Sequence, residues 1–218
     1  MRVFASPMRG RRDPNPDPTM TFWKGRLLRA ALAGLATLLL LGACGKKLHW
    51  DLDDVGSVLP DLKFQLVNDE GRPVTAADYA GKVVILYFGY THCPDVCPLT
   101  MSHLADAVQA LGPQAGDVRI LFVSVDPARD TLPILKAYTR AFSPEAVGLS
   151  GTMAQIQATA KRFHVAFNYG QKDASGNYVV NHSAAIYVFD KQGRGRLIGS
   201  ENSPPAQITH DLRQLIDH

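Results

Sequence analysis

Cysteine is scarce in this 218-residue chain: three residues, Cys44, Cys93 and Cys97. Three thiols exclude a disulfide-stapled scaffold, which needs several even-numbered pairs in a short chain. Charge of one sign is also lacking. The formal net charge is +3, and many of the basic residues fall in the first 30 positions. The remainder of the chain is close to neutral, so nucleic-acid binding has no electrostatic footing. No repeat of 20 to 50 residues is visible, and no low-complexity tract lies beyond the N-terminus. Proline is absent from Gly170 to Ser203, a gap that bears on the cysteine chemistry. With 46% hydrophobic residues, the chain can build one sizeable core and hardly two.

The first uncharged apolar run, Ala30 to Ala43, is only 14 residues long, short of the roughly 20 that a membrane span requires. It comes after Lys24, Arg26 and Arg29 and ends in Leu41-Gly42-Ala43-Cys44. A basic region, a short apolar region and small residues before a cysteine describe a cleaved targeting segment. The ending resembles the bacterial lipobox, in which the cysteine becomes the new N-terminus and carries lipid. Residues 1–43 are therefore expected to be a signal segment removed before Cys44, with translation starting at Met20 rather than Met1. The expected location is the bacterial cell envelope, lipid-anchored and facing the periplasm or the outer face of the cytoplasmic membrane. Several acyl chains anchor a protein stably where one binds only marginally.

Residues 44–57 read as a polar tether and 58–218 as the folded domain. Within it, KFQLVND and RPVTAADYAG form a hairpin with a short connection. KVVILYFGY (82–90) and DVRILFVSVDP (117–127) are continuous apolar runs, the pattern of strands buried on both faces. Helices are predicted over 98–112, 131–142 and 152–163, the last two in direct succession. HVAFNYG and NYVVNH flank a turn-rich stretch as a second hairpin, SAAIYVFD pairs with GRLIGS, and the chain closes on a helix. Alternating strands and helices leading into a hairpin describe an α/β sandwich with a mixed sheet.

If Cys44 is lipidated, Cys93 and Cys97 are the two remaining thiols, in an oxidising compartment. They sit in YFGYTHCPDVCPLT, between the first buried strand and its helix, where the thioredoxin fold keeps its active site. A cysteine at a helix N-terminus faces unpaired N–H groups that favour thiolate. Three residues separate the two cysteines, and this spacing suits either a reversible disulfide or a bite for one soft metal ion. A third ligand decides between them. His49, His103, His164, His210 and His218 have ordinary placements, and His92 adjoins Cys93 but is expected to point away from it. His182 lies in VVNHSAAIYVFD, at the turn expected to abut the cysteine loop. Redox members of the fold place a cis-proline there; this chain offers an imidazole.

YFGYTHCPDVCPLT, LFVSVDPARDT and NHSAAIYVFD, in this order, resemble the Sco/SenC family of copper-delivery proteins for cytochrome c oxidase assembly, over roughly residues 56–218. The resemblance implies a thioredoxin-like fold: a mixed central sheet flanked by helices, with a β-hairpin inserted before the His-bearing strand. It implies Cys93, Cys97 and His182 as ligands of copper(I) or copper(II). The implied partners are the copper-bearing subunit of cytochrome c oxidase, a periplasmic copper donor and the membrane through the lipid. Asp126 matches the family's aspartate-proline and is a candidate second-sphere acid. In the family an aspartate often precedes the histidine; here Asn181 occupies that place, a second candidate lacking the charge.

Two functions of different class are thus expected to compete. One is a copper metallochaperone for the binuclear copper site of a terminal oxidase. The other is a thiol–disulfide oxidoreductase in which Cys93 and Cys97 cycle through a disulfide and reduce the oxidase cysteines. A peroxidase fits less well, because no threonine stands at the required place before a single attacking cysteine.

Overall fold

The structure, a computed structural model, describes residues 48–218 apart from Ser57. The signal segment, the lipobox cysteine Cys44 and the start of the tether lie outside the described residues. Ten strands are present in the described chain: β1 (Asp53–Asp54), β2 (Gln65–Asn68), β3 (Pro73–Thr75), β4 (Val83–Gly89), β5 (Val118–Ser124), β6 (Ala146–Ser150), β7 (Phe167–Tyr169), β8 (Val180–His182), β9 (Ile186–Phe189) and β10 (Gly195–Gly199). Four α-helices accompany them: α1 (Val96–Gln109), α2 (Leu132–Phe142), α3 (Met153–Arg162) and α4 (Pro205–Asp217).

Eight strands make one mixed sheet in the order β1-β10-β9-β4-β5-β6-β2-β3. The parallel centre is β4-β5-β6, with β4 and β5 paired over seven residues from Val83↔Val118 to Gly89↔Ser124. Every residue of β4 is buried, as its unbroken apolar sequence requires of a strand covered on both faces. Antiparallel β9 flanks β4 on the other side. β7 and β8 form a separate two-stranded sheet, with Phe167 opposite His182 and Tyr169 opposite Val180. This is the inserted hairpin, and His182 ends its second strand rather than lying on the strand that follows it.

Two features differ from the sequence reading. A strand, β6, separates the helices predicted in direct succession. Its five residues, AVGLS, carry little β-propensity, and the glycine is there for packing. A Cβ on Gly148 would lie 2.3 Å from Cγ of Leu135, so α2 presses against the sheet at that point. The fold also takes up the chain before Val58. Leu52 is buried, Asp53 and Asp54 pair with Ile198 and Leu197, and the N–H groups of Asp51 and Leu52 donate to the Asp211 carboxylate at 2.8–3.1 Å. Adjacent acids in a two-residue strand show no alternation, which is why they read as tether. No helix of the described residues is long and apolar enough to cross a membrane.

Candidate metal centre

The sheet delivers its site at the C-terminal end of β4. The chain leaves Gly89, turns through Tyr90 with Cys93 N–H donating to the Tyr90 carbonyl (3.2 Å), and enters α1 at Val96. The helix begins between the two cysteines. Cys97 lies in its first turn, and its N–H donates to Sγ of Cys93 at 3.5 Å. Both thiols are free, Cys97 fully buried and Cys93 partly exposed. A Cβ on Gly89 would stand 2.9 Å from Cys97 Sγ and 2.9 Å from Phe122 Cε2, so only glycine leaves room for that sulfur beneath the loop.

The hairpin supplies the third donor. His182 closes β8, and its Nε2 lies 3.3 Å from Sγ of Cys97, across 85 positions of sequence. Its Nδ1 sits 3.1 Å from the Ser183 carbonyl. A carbonyl only accepts, so Nδ1 carries the hydrogen and Nε2 presents its lone pair to the sulfur. The rings of Tyr87 and Tyr90 stand edge-on to the imidazole, with centroids 6.2 and 6.0 Å away. Sγ of Cys93, Sγ of Cys97 and a ring nitrogen of His182 all lie within 4.8 Å of one another. Among the described residues no peptide bond is cis, so no cis-proline shields the thiols.

Burial sets the electrostatics. Desolvation pushes the Cys97 thiol up to about 12, opposed by a backbone hydrogen bond at Tyr90 and reinforced by Cys93. Desolvation also lowers the His182 imidazole, partly offset by the Ser183 hydrogen bond. The site therefore keeps a neutral imidazole and a protonated thiol in the same small space. Two sulfurs and one neutral imidazole form a soft donor set that suits copper in either common oxidation state. The removal of a proton from Cys97 then couples metal uptake to pH.

The remaining candidates fall elsewhere. His92 points away from the sulfurs, its Nδ1 near Thr91 Oγ1 (3.1 Å) and Asp130 Oδ1 (3.4 Å). Asn181 is exposed, and its amide donates across the hairpin to Asn168 Oδ1 at 3.0 Å. Asp126 is fully buried behind the site: Oδ1 accepts from the Tyr178 hydroxyl at 2.7 Å and Oδ2 from Nε of Arg129 at 2.5 Å. A second group, Asp51, His210 and Asp211, also brings donor atoms within 4.8 Å. There the buried Asp211 carboxylate is already taken up by two backbone N–H groups, so the group fastens the incoming chain to α4.

Sequence reasoning missed the support under the cysteine loop. Asp130, almost wholly buried, accepts from Thr91 N–H (3.0 Å), Thr91 Oγ1 (2.6 Å) and Ser124 Oγ (2.6 Å). The only available signal was the chemistry of the LFVSVDPARDT stretch, which gives acids after a buried strand but not their partners.

Comparison with known proteins identifies the family of this chain. Residues 58–217 match the family model SCO1/SenC. The bovine (Bos taurus) mitochondrial SCO2 homolog is 37% identical over 153 residues, which are 69% of this chain and 58% of that protein. The chain thus spans less than two thirds of that curated relative. The structure of Bradyrhizobium japonicum ScoI with copper bound is 35% identical, covers 72% of this chain and 99% of its own, and superposes with a TM-score of 0.66. Apo Sco1 from Thermus thermophilus is 34% identical, covers 78% and 99%, and superposes at 0.70. The chain belongs to the SCO1/SenC family, and its fold is thioredoxin-like.

Proposed function

We propose that this chain is a membrane-anchored copper chaperone that delivers copper to the binuclear copper site of a terminal cytochrome c oxidase during its assembly. The observation that carries the reading is the three-donor triangle of Cys93, Cys97 and His182, assembled from two separate elements around a space that Gly89 keeps open. Copper is the cargo. The two sulfurs and Nε2 bind it, and loading displaces a proton from buried Cys97. The partly exposed Cys93 is the ligand an acceptor thiolate reaches first, so release proceeds by exchange of one thiolate for another. The anchor is a lipid on Cys44, in the bacterial envelope facing the periplasm, and a periplasmic donor supplies the ion. Support for copper as the cargo comes from the copper bound in the Bradyrhizobium relative, and the oxidase as recipient is what membership of the family implies. Copper titration of the chain and of variants in each of the three donors tests the reading.

A second reading rests on the unequal exposure of the thiols. Cys93 is reachable and Cys97 is not, the division of labour of a thiol–disulfide reductase. Cys93 thiolate attacks a disulfide of the acceptor, and one acceptor sulfur leaves as thiolate. Cys97 then attacks the mixed disulfide. The acceptor ends with two thiols and this chain with a Cys93–Cys97 disulfide. The two activities share residues and are mutually exclusive in time, since the oxidised pair holds no copper.

A further inference from the structure

The histidine and the cysteines belong to parts of the molecule that share no backbone ladder. The cysteines sit on the main sheet, and His182 rides on the β7–β8 hairpin, a separate two-stranded unit. The spacing between Nε2 and Sγ therefore depends on whatever fastens the hairpin to the sheet. Three residues join His182 to β9, and Tyr90 meets the hairpin backbone at Val180; the side-chain hydrogen bonds that fasten the rest of the hairpin gather at one loop, residues 125–130, between β5 and α2.

The hairpin reaches the loop through two tyrosines. The Tyr169 hydroxyl donates to the Val125 carbonyl at 2.5 Å, and the Tyr178 hydroxyl donates to Asp126 Oδ1 at 2.7 Å. Arg129, held by the other oxygen of Asp126, lays its guanidinium 3.6 Å from the Tyr178 ring centroid and 5.6 Å from that of Tyr90. Tyr90 in turn packs edge-on to His182. A guanidinium over an aromatic face adds attraction, more so when desolvated. Four residues beyond Asp126, the same loop grips the cysteine side, where Asp130 accepts both hydrogen bonds of Thr91.

We infer that the 125–130 loop is the positioning element of the site, with Asp126, Arg129 and Tyr178 as the residues that hold the His182 hairpin at its distance from Cys97. None of the three touches a donor atom. They act through the hairpin, as supporting hydrogen bonds orient metal ligands generally. The buried carboxylate is fully committed, one oxygen to each side of the clamp, so deleting the Tyr178 hydroxyl also leaves an acceptor without its partner. The inference rests on the copper reading of the three-donor site.

The test compares full-length wild type with Tyr178→Phe, Asp126→Asn and, as a control at the hairpin tip, Ser175→Ala. Three quantities are read: the copper(II) dissociation constant, the thiolate-to-copper(II) absorption band and paramagnetic resonance spectrum, and the rate at which the cysteines of the apo protein react with a disulfide reagent. Tyr178→Phe is expected to weaken copper(II) binding about tenfold and shift the spectrum. Its thiol rate stays within twofold of wild type, and Ser175→Ala changes nothing. Amide exchange of residues 167–182 in the apo protein is expected to accelerate in Tyr178→Phe. Unchanged affinity, spectrum and exchange in Tyr178→Phe overturn the inference, whether or not Asp126→Asn folds. If wild type itself takes up no copper, the functional reading fails instead, and the apo exchange result still decides whether the clamp holds the hairpin.

Discussion

Sγ of Cys97 and Nε2 of His182 stand 3.3 Å apart although 85 residues separate them in sequence. One comes from the first turn of a helix and the other from the end of a hairpin strand, and Gly89 at the end of β4 leaves the space in which they meet. With the proton on Nδ1, the contact reads as a thiol donating to an imidazole lone pair. A soft ion that replaces this hydrogen finds both donors already facing each other, which lowers the reorganisation needed for binding.

The glycine under that contact is the first place to test the geometry. Gly89→Ala puts a methyl group 2.9 Å from both Cys97 Sγ and a Phe122 ring carbon. Overpacking of this kind costs about 1–3 kcal/mol. The expected outcome is a lower midpoint in urea together with copper binding weakened more than tenfold, because the sulfur is the atom that has to move. Chemical denaturation and copper titration of the same preparation check it.

Tyr87 leads to the opposite sign. Its ring is fully buried beside His182, and its hydroxyl lies against Cys97 and Thr100 without reaching full hydrogen-bond geometry to either. An unsatisfied buried hydroxyl costs about 1–3 kcal/mol. Tyr87→Phe removes the hydroxyl and keeps the ring, so the metal-free variant is expected to be about 1 kcal/mol more stable than wild type. Urea denaturation under reducing conditions checks this, and a loss of stability contradicts it.

Burial of Cys97 makes stability depend on pH above neutrality. The unfolded thiol ionises near its ordinary value of 9.0, and the folded one only at about 12. Between these values the native state holds a proton that the unfolded state has lost. Stability therefore falls as pH rises through that window, by up to about 1.4 kcal/mol at pH 10. Buried tyrosines such as Tyr79 act in the same direction, also through desolvation. The part due to Cys97 is therefore the difference in slope between wild type and Cys97→Ser, measured by reduced, metal-free denaturation at pH 8 and pH 10. His182 works from the acid side: its lowered folded value means stability drops as pH falls through the unfolded value of 6.5.

Much of this site can be read without coordinates. The unbroken apolar run of β4 announces a strand covered on both faces, and a cysteine pair directly after it falls at the N-terminus of the next helix. The proline-free stretch around His182 marks a departure from a plain redox site. The fold was harder where residues are chosen for fit: β6 is short and built around Gly148, whose absent side chain makes room for Leu135. Asp53 and Asp54 join the sheet edge with no apolar pattern to show it. The supporting shell was out of reach for another reason. Thr91 and Asp130 are 39 positions apart, Tyr178 and Asp126 52. No periodicity or motif spacing encodes which polar side chains meet across a loop; only the folded topology brings them together.

The central claim is that His182 completes a copper site with Cys93 and Cys97, and one comparison tests it most directly. The full-length chain, reduced and metal-free, is titrated with copper(II) beside His182→Ala, tracking the thiolate-to-copper absorption and the bound stoichiometry. The account predicts one copper per wild-type chain. It also predicts affinity lowered at least tenfold in His182→Ala, while its cysteines still exchange with a disulfide reagent. Equal affinity and an identical spectrum in the two proteins would contradict it.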